Sequence, residues 1–278
     1  SGKIRITDFS LLFMKYQGNY FMKKTLIALA VAASAAVSGS AMAWTANGTG
    51  GSVDLGGTLT PVEKVTPWEV KVGAAVNGLD GSIQKGATTV EIPVGKSIPV
   101  LAIRNNAVFN GQPGIVPVIN YGGAIDTANF TDNTTALTLN VNGDAGKIGV
   151  LTAPLYASAI EKAAWGDNNV EVKYLAASQS TGAFAGGVPA SVDGVTISGA
   201  YEVMAQLFSD IWENENPAGG TSWDKGDNEG FADPSVKYSA SYASGIRDFA
   251  KITIKLDAPA ANDSINWSAQ LPVTVSYQ

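Results

Sequence analysis

The sequence predicts a mainly β fold, and two features of its pattern support this. Apolar and polar residues alternate with a period of two in short segments from residue 68 to the C-terminus, as in strands with one buried face. Turn residues separate these segments, for example at Asn77-Gly78 and Asn142-Gly143-Asp144. Short strands with regular turn signals are typical of a β-sandwich or a barrel, and the pattern by itself leaves both open.

The predicted strands follow one another along the chain with few interruptions. In order they are 68–76, 88–94, 98–103, 116–120, 136–141, 147–152, 170–175, 192–198, 236–242, 249–256 and 271–277. Neither an internal repeat nor a linker of distinct composition divides them. One domain is therefore expected over residues 62–278, with an insertion at about 156–231.

The insertion is expected to contain a helix. In residues 199–213 the apolar side chains recur at spacings of three and four, which predicts an amphipathic helix docked on a sheet. Residues 156–165 are a weaker helical candidate. Residues 214–231 are polar and rich in glycine and acids, so they are predicted to form a long loop.

The N-terminal region is predicted to be a secretory signal peptide, spanning residues 22–43. Met22-Lys23-Lys24 supplies a positive start, residues 26–37 form an apolar run, and Ala41-Met42-Ala43 matches a cleavage site. The apolar run is shorter than the ~20 residues of a membrane-spanning helix. Residues 1–21 are expected to be upstream sequence or an over-extended gene model. Residues 44–61 would then be the N-terminal extension of the exported chain.

Composition excludes several classes of function. Removal of residues 1–43 takes away five basic residues and one acid, so the formal net charge changes from −6 to −10. Such a surface repels phosphate, and nucleic acid is not an expected partner. The chain contains no cysteine and no histidine, which excludes thiol catalysis, Ser-His-Asp triads and the usual zinc sites. We expect no catalytic residues, no metal and no cofactor, and therefore no enzyme.

The predicted loop offers one candidate binding site. Trp223 could present its indole to the face of a sugar, with Asp224, Asn228 and Glu229 as hydrogen-bond partners. The alternative is that Trp223 folds back to cover the helix. The residues favour neither reading.

The two ends of the exported chain carry matching patterns. Near the N-terminus, Val53, Leu55 and Leu59 share one face of an extended segment, with Gly57 between the leucines. The C-terminal segment alternates in the same way, with its apolar residues at Leu271, Val273, Val275 and Tyr277. If a sandwich lacked the strand beside this terminal strand, the cleft would expose backbone groups and core side chains. A strand from another molecule would satisfy both.

These segments carry a resemblance to a known family. The signal ending in Ala41-Met42-Ala43, the stretch Gly51-Ser-Val-Asp-Leu-Gly-Gly-Thr-Leu-Thr, the stretch Trp68-Glu-Val-Lys-Val-Gly and the stretch Trp267-Ser-Ala-Gln-Leu-Pro-Val-Thr-Val-Ser-Tyr are the residues concerned. Together they resemble the major subunits of chaperone/usher surface fimbriae, in particular the FaeG and ClpG type of enteric bacteria.

The resemblance implies an incomplete immunoglobulin-like sandwich that is completed by donor-strand exchange. A periplasmic chaperone first lends a strand to the groove, and the N-terminal extension of the next subunit then replaces it at the outer-membrane usher. Val53, Leu55, Gly57 and Leu59 match the donor positions, and Tyr277 matches the penultimate aromatic residue of the chaperone-recognition strand. The expected partners are further copies of the chain, the chaperone and the usher.

The resemblance further implies a major structural subunit of a fimbria at the cell surface, with adhesion to a host glycoprotein or glycolipid through the insertion. Two features depart from the wider group: Ile265 replaces a glycine that is common there, and the cysteine pair of many relatives is absent. An outer-membrane β-barrel, or a secreted carbohydrate-active enzyme or binding module, remains as an alternative.

Overall fold

The computed structural model describes residues 44, 46–49, 51–61 and 65–278. The predictions for residues 1–43 lie outside the described residues. Residues Val65–Gln278 form one compact unit. Residues 51–61 are assigned to neither helix nor strand, and every one of them is exposed.

The compact unit is mainly β, as predicted. Its strands are β1 (Trp68–Val72), β2 (Thr89–Pro93), β3 (Ile98–Asn105), β4 (Phe109–Asn110), β5 (Pro117–Asn120), β6 (Thr134–Gly143), β7 (Gly146–Ala164), β8 (Val170–Ala176), β9 (Ser222–Asp227), β10 (Lys237–Ile246), β11 (Lys251–Leu256) and β12 (Thr274–Tyr277). One α-helix, α1 (Ala200–Leu207), and two single-turn 3₁₀ helices, Thr127–Asn129 and Val192–Gly194, complete the described elements.

The strands form a large sheet and a small one. In the large sheet the order is β1-β3-β10-β7-β11-β2, with β4 on β10, β6 and β8 on β7, and β9 on β8. The small sheet pairs β12 with β5. All pairings are antiparallel except that of β8 with β9. The architecture is consistent with the immunoglobulin-like sandwich that the family resemblance implies.

Strand β7 overturns one expectation. The helix predicted for residues 156–165 is wrong, because Tyr156–Ala164 is the second half of a 19-residue strand. This half is hydrogen-bonded to β10 on one side and β8 on the other. Its small and apolar residues are buried on both faces of the sheet, so the period-two signal of a half-exposed strand is missing.

Two apolar cores explain this double burial. The main core lies on one face of the large sheet and includes Leu101, Ile103, Ala157 and Tyr242. A smaller core lies on the other face, where α1 covers side chains such as Ile160. The sheet is therefore a central layer, covered by the main core on one side and by α1 and its neighbouring segments on the other.

The helix is present but shorter than predicted. It begins after Gly199, whose φ of 75° is left-handed, and ends at Leu207, before Phe208, which is extended. Val203, Met204 and Leu207 are its buried residues together with Ala200, so the predicted apolar stripe does face a sheet. The apolar residues that follow it pack through turns rather than through further helix.

Two other predictions are wrong. Residues 192–198, predicted as a strand, contain the 3₁₀ turn Val192–Gly194. Residues 214–231, predicted as a loop, contain β9, which joins the sheet in parallel with β8. β9 is polar and lies at the edge of the sheet, so its sequence lacks the apolar alternation on which strand prediction depends. No helix among the described residues has the length and apolar character needed to cross a membrane.

Candidate functional site: a groove between the first and last strands

Within the described part of the chain, the last strand of the fold has one free edge. Among the described residues β12 pairs only with β5. Gln278 exchanges two backbone hydrogen bonds with Val116, at 3.0 and 3.1 Å. Because partners alternate in an antiparallel ladder, the backbone groups of Val273, Val275 and Tyr277 point to the other edge. That edge presents donors and acceptors to an incoming strand.

The first strand is open in the same way. β1 pairs with β3 alone among the described strands. A backbone N–H donates at each end of this ladder: Asn106 N–H bonds to Pro67 O at 2.7 Å, and Gly73 N–H bonds to Val100 O at 2.9 Å. The intervening alternation leaves the backbone groups of Trp68, Val70 and Val72 on the outer edge.

Side chains beside both edges are apolar and incompletely covered. On β12 and just before it, Leu271, Val273, Val275 and Tyr277 are half-buried and pack against the main core, whereas the residues between them are exposed. On β1, Val70 and Val72 follow buried Trp68 on the core face but are themselves exposed. We call the gap bordered by these residues the terminal groove.

Two contacts hold the walls of the terminal groove together. The Nε1 of Trp68 donates to the carbonyl oxygen of Ile115 at 2.6 Å, linking β1 to the segment before β5. The phenol of Tyr277 lies close to Thr66, just before β1. Burial raises the pKa of Tyr277, so the phenol stays neutral. The start of β1 therefore lies beside the end of β12.

Two residues from the region between β8 and β10 contribute to this wall, which sequence reasoning missed. Phe184 and Phe231 both pack on the Trp68 ring, with centroid distances of 5.9 and 5.0 Å. Phe184 N–H also donates to the carbonyl oxygen of Pro117, the first residue of β5, at 2.7 Å. The only sequence signal for this packing was the presence of two phenylalanines. Nothing local in the sequence could show that they meet the first strand.

The N-terminal segment carries the complementary pattern. The side chains of Val53, Leu55 and Leu59 are 83%, 93% and 97% exposed. Exposure of three large apolar residues on one face is costly in water, since each buried aliphatic side chain gains about 1.5–3 kcal/mol. Such a segment is suited to being covered by another surface.

The structure does not gather the four candidate glycan-binding residues around one point. Trp223 lies on β9 and is 57% exposed. It pairs with Val172, whereas Asp224 pairs with Lys173, so their side chains point to opposite faces of the sheet. Asn228 is occupied, with its Oδ1 accepting from Gln179 N–H at 2.7 Å.

Glu229 is also engaged, in a partly buried charge cluster. Its Oε1 accepts from Lys173 Nζ at 2.9 Å. Beneath this pair lies Glu161, whose Oε2 is buried without a partner. Burial, with a smaller contribution from the charge of Glu229, raises the pKa of Glu161 to about 8. This carboxyl is therefore protonated at neutral pH. No grouping of carboxylates in the described part of the chain could hold a metal ion.

Comparison with known proteins extends over nearly the whole chain. Residues 22–278 match the model of a K88-type family described as fimbrial, major and minor subunit. The K88 fimbrial proteins AD and AB of Escherichia coli are each 31% identical to this chain, over 92% of it and 100% of the relative. The F41 fimbrial protein of Escherichia coli is 26% identical with the same coverage. The matched residues include the N-terminal segment and both strands of the terminal groove.

Proposed function

Since this chain belongs to the family of major and minor fimbrial subunits that includes the K88 proteins, we propose that it polymerises by donor-strand exchange. It is a subunit of a bacterial surface fimbria. The proposal is that residues 53–59 of one copy fill the terminal groove of the next, with Val53, Leu55 and Leu59 entering the core and Gly57 over a shallow part. A periplasmic chaperone occupies the groove before assembly, and an outer-membrane usher directs the exchange.

One observation carries this proposal: in the described part of the chain, β1 and β12 each have an unpaired backbone edge and an incompletely covered apolar face beside the terminal groove. A single inserted strand would satisfy both edges and cover both faces. In an extended donor, every second side chain lies on one face, as do the apolar side chains of the two groove strands.

The chain direction at β1 adds a constraint on the polymer. Each copy leaves its compact unit at the start of β1, beside the end of β12. If the donor ran parallel to β12, its own compact unit would lie at this same end and crowd the neighbour on the other side. A linear fibre therefore requires a donor that is antiparallel to β12 and parallel to β1.

Cysteine cross-linking tests the exchange directly, because the natural chain has no cysteine. Leu55→Cys is combined with Val273→Cys or Val275→Cys, and surface fibres are run on non-reducing gels. Opposed strand residues lie within the Cα separation that a disulfide needs, so a ladder of covalent multimers is expected. Thr58→Cys, on the other face of the donor, is the matched control. Equal ladders from Leu55→Cys and Thr58→Cys, or none from either, would reject the assignment.

We also propose that the subunit adheres to host glycoproteins or glycolipids through Trp223. Its support is the exposed indole on the insertion, since an aromatic face is a common platform for sugar rings. Trp223→Ala should reduce glycan or red-cell binding without changing fibre yield, and the exposed Trp165→Ala is the control. Unchanged binding by Trp223→Ala fibres would show that Trp223 does not contribute to adhesion.

A further inference from the structure

On β9, Trp223 shares its face of the sheet with Lys225 and, two residues further on, with Asp227, whose carboxylate accepts from the backbone N–H and the hydroxyl of Ser178. In the parallel pairing of β9 with β8, Trp223 lies beside Val172 and Lys225 lies beside Tyr174. Val172 and Tyr174 both pack in the core under α1. The side chains of Trp223 and Lys225 therefore emerge on the helix side of β9, two residues and about 6.6 Å apart.

Gly220 leaves room for the indole of Trp223 to pack against its backbone. A Cβ placed on Gly220 would lie 2.6 Å from Val172 Cγ2 and 2.9 Å from Trp223 Cζ2. The ring thus lies against the backbone of Gly220 while more than half of its side chain stays exposed. One side of the indole is supported and the remainder is free for stacking.

The ammonium group of Lys225 has capacity for a ligand. Its Nζ donates to the carbonyl oxygen of Val192 at 3.1 Å, which fixes the direction of the side chain. An ammonium group carries three donors, so two remain. No salt bridge to Lys225 occurs among the described residues. The nearby carboxylate of Asp224 projects from the opposite face and accepts from the backbone N–H of Lys225.

We propose that Trp223 and Lys225 form a binding site for a negatively charged sugar, with the ring stacked on the indole and a carboxylate or sulfate paired with the ammonium group. This inference rests on the proposed adhesive function and narrows its ligand class. A neutral sugar would use the indole alone. An anionic sugar gains charge-assisted hydrogen bonds, which are about twice as strong as neutral ones, so it binds more tightly.

The test measures the binding of purified fibres to three probes: lactose, 3′-sialyllactose and 3′-sulfated lactose. We expect the natural fibres to bind at least one charged probe about tenfold more tightly than lactose. The preference should weaken as salt is raised, because the pair is exposed. Comparison of the two charged probes identifies whether carboxylate or sulfate is the group recognised.

Variants separate the two residues. Lys225→Gln should bring both charged probes to the affinity of lactose, Lys225→Arg should keep the preference, and Trp223→Ala should lose all three probes. Lys255→Gln, an exposed lysine on β11, is the matched charge control. Equal binding of charged and neutral probes by natural fibres, or an unchanged preference in Lys225→Gln, overturns this inference. Trp223-dependent binding of lactose would then leave adhesion standing, whereas binding of no probe would overturn both.

Discussion

The indole Nε1 of Trp68 donates a hydrogen bond to the carbonyl oxygen of Ile115, 47 residues later and 2.6 Å away. Both groups are buried. Trp68 is the first residue of β1, and Ile115 precedes β5, the partner of the last strand. This one bond therefore joins the two walls of the terminal groove.

Replacement of Trp68 by phenylalanine should weaken the fold. Trp68→Phe removes the donor, leaves the buried oxygen of Ile115 unpaired, and opens space among Phe109, Phe184 and Phe231. We expect a loss of about 2–3 kcal/mol in the free energy of unfolding. Denaturant unfolding of the purified subunit measures this. Trp165→Phe, at an exposed tryptophan, should stay within about 0.5 kcal/mol, and equal losses in the two variants would contradict the bridging role.

A charge on the donor face should stop assembly. Leu55→Asp would place a carboxylate in a neighbour's apolar groove, where an unpaired charge is strongly disfavoured. Gly57→Trp would instead overfill the shallow position. Both should lower the yield of heat-released surface fibres at least tenfold while the chaperone-bound monomer stays soluble. Thr58→Asp lies on the other face of the segment and should assemble normally. Normal fibres from Leu55→Asp and Gly57→Trp would reject residues 53–59 as the donor.

On β12, as on the donor segment, a charge on the core-facing side should block assembly and a charge on the exposed side should not. Val273 is half-buried against the core, and its neighbour Thr274 is exposed. Val273→Asp should therefore reduce fibre yield about tenfold or more, whereas Thr274→Asp should have little effect. Fibre yield and the amount of chaperone-bound subunit are measured together. Similar behaviour of the two variants would show that the free face of β12 does not receive a strand.

Glu161 should make stability depend on pH. Its pKa is about 8 in the folded chain, against an ordinary value of 4.5. Between these values the folded state holds a proton that the unfolded state does not. The free energy of unfolding should thus fall as pH rises from about 4.5 to 8, and then level off.

Glu161→Gln removes this titration while keeping the size of the side chain. The variant should gain at least about 2 kcal/mol over the natural chain at pH 8 relative to pH 5. Denaturant unfolding across this range provides the measurement. Glu91→Gln, at an exposed glutamate of β2, should follow the natural pH profile. A natural chain whose stability is flat from pH 5 to 8 would show that Glu161 ionises normally.

Gly220 should control the adhesive surface without controlling the fold. Because its Cβ would meet Val172 and Trp223, Gly220→Val should displace the indole and reduce glycan binding by about tenfold, with little loss of fibre yield. A Cβ at Gly219 would meet no atom within 4 Å, so Gly219→Ala is the matched control. Equal glycan binding by the two variants would show that adhesion does not depend on the position of the Trp223 indole.

Local pattern was sufficient for much of this architecture. Segments such as Thr89–Pro93 and Lys251–Leu256 alternate between a core and solvent, so they could be identified as strands. The buried half of β7 could not, because two cores remove its polar face. β9 could not either. It joins the sheet through backbone hydrogen bonds, and its polar side chains show no apolar alternation.

The sequence by itself determined the mainly β class, the exclusion of thiol and histidine chemistry, and the apolar alternation at Val53, Leu55 and Leu59 and in the last strand. These are properties of residue type and local spacing. Only the tertiary structure decided that β1 and β12 border one groove, that Phe184 and Phe231 brace it, and that Trp223 lies beside Lys225 rather than Asp224. Each of these depends on pairing or packing between distant segments, which decides where a side chain emerges and what it contacts.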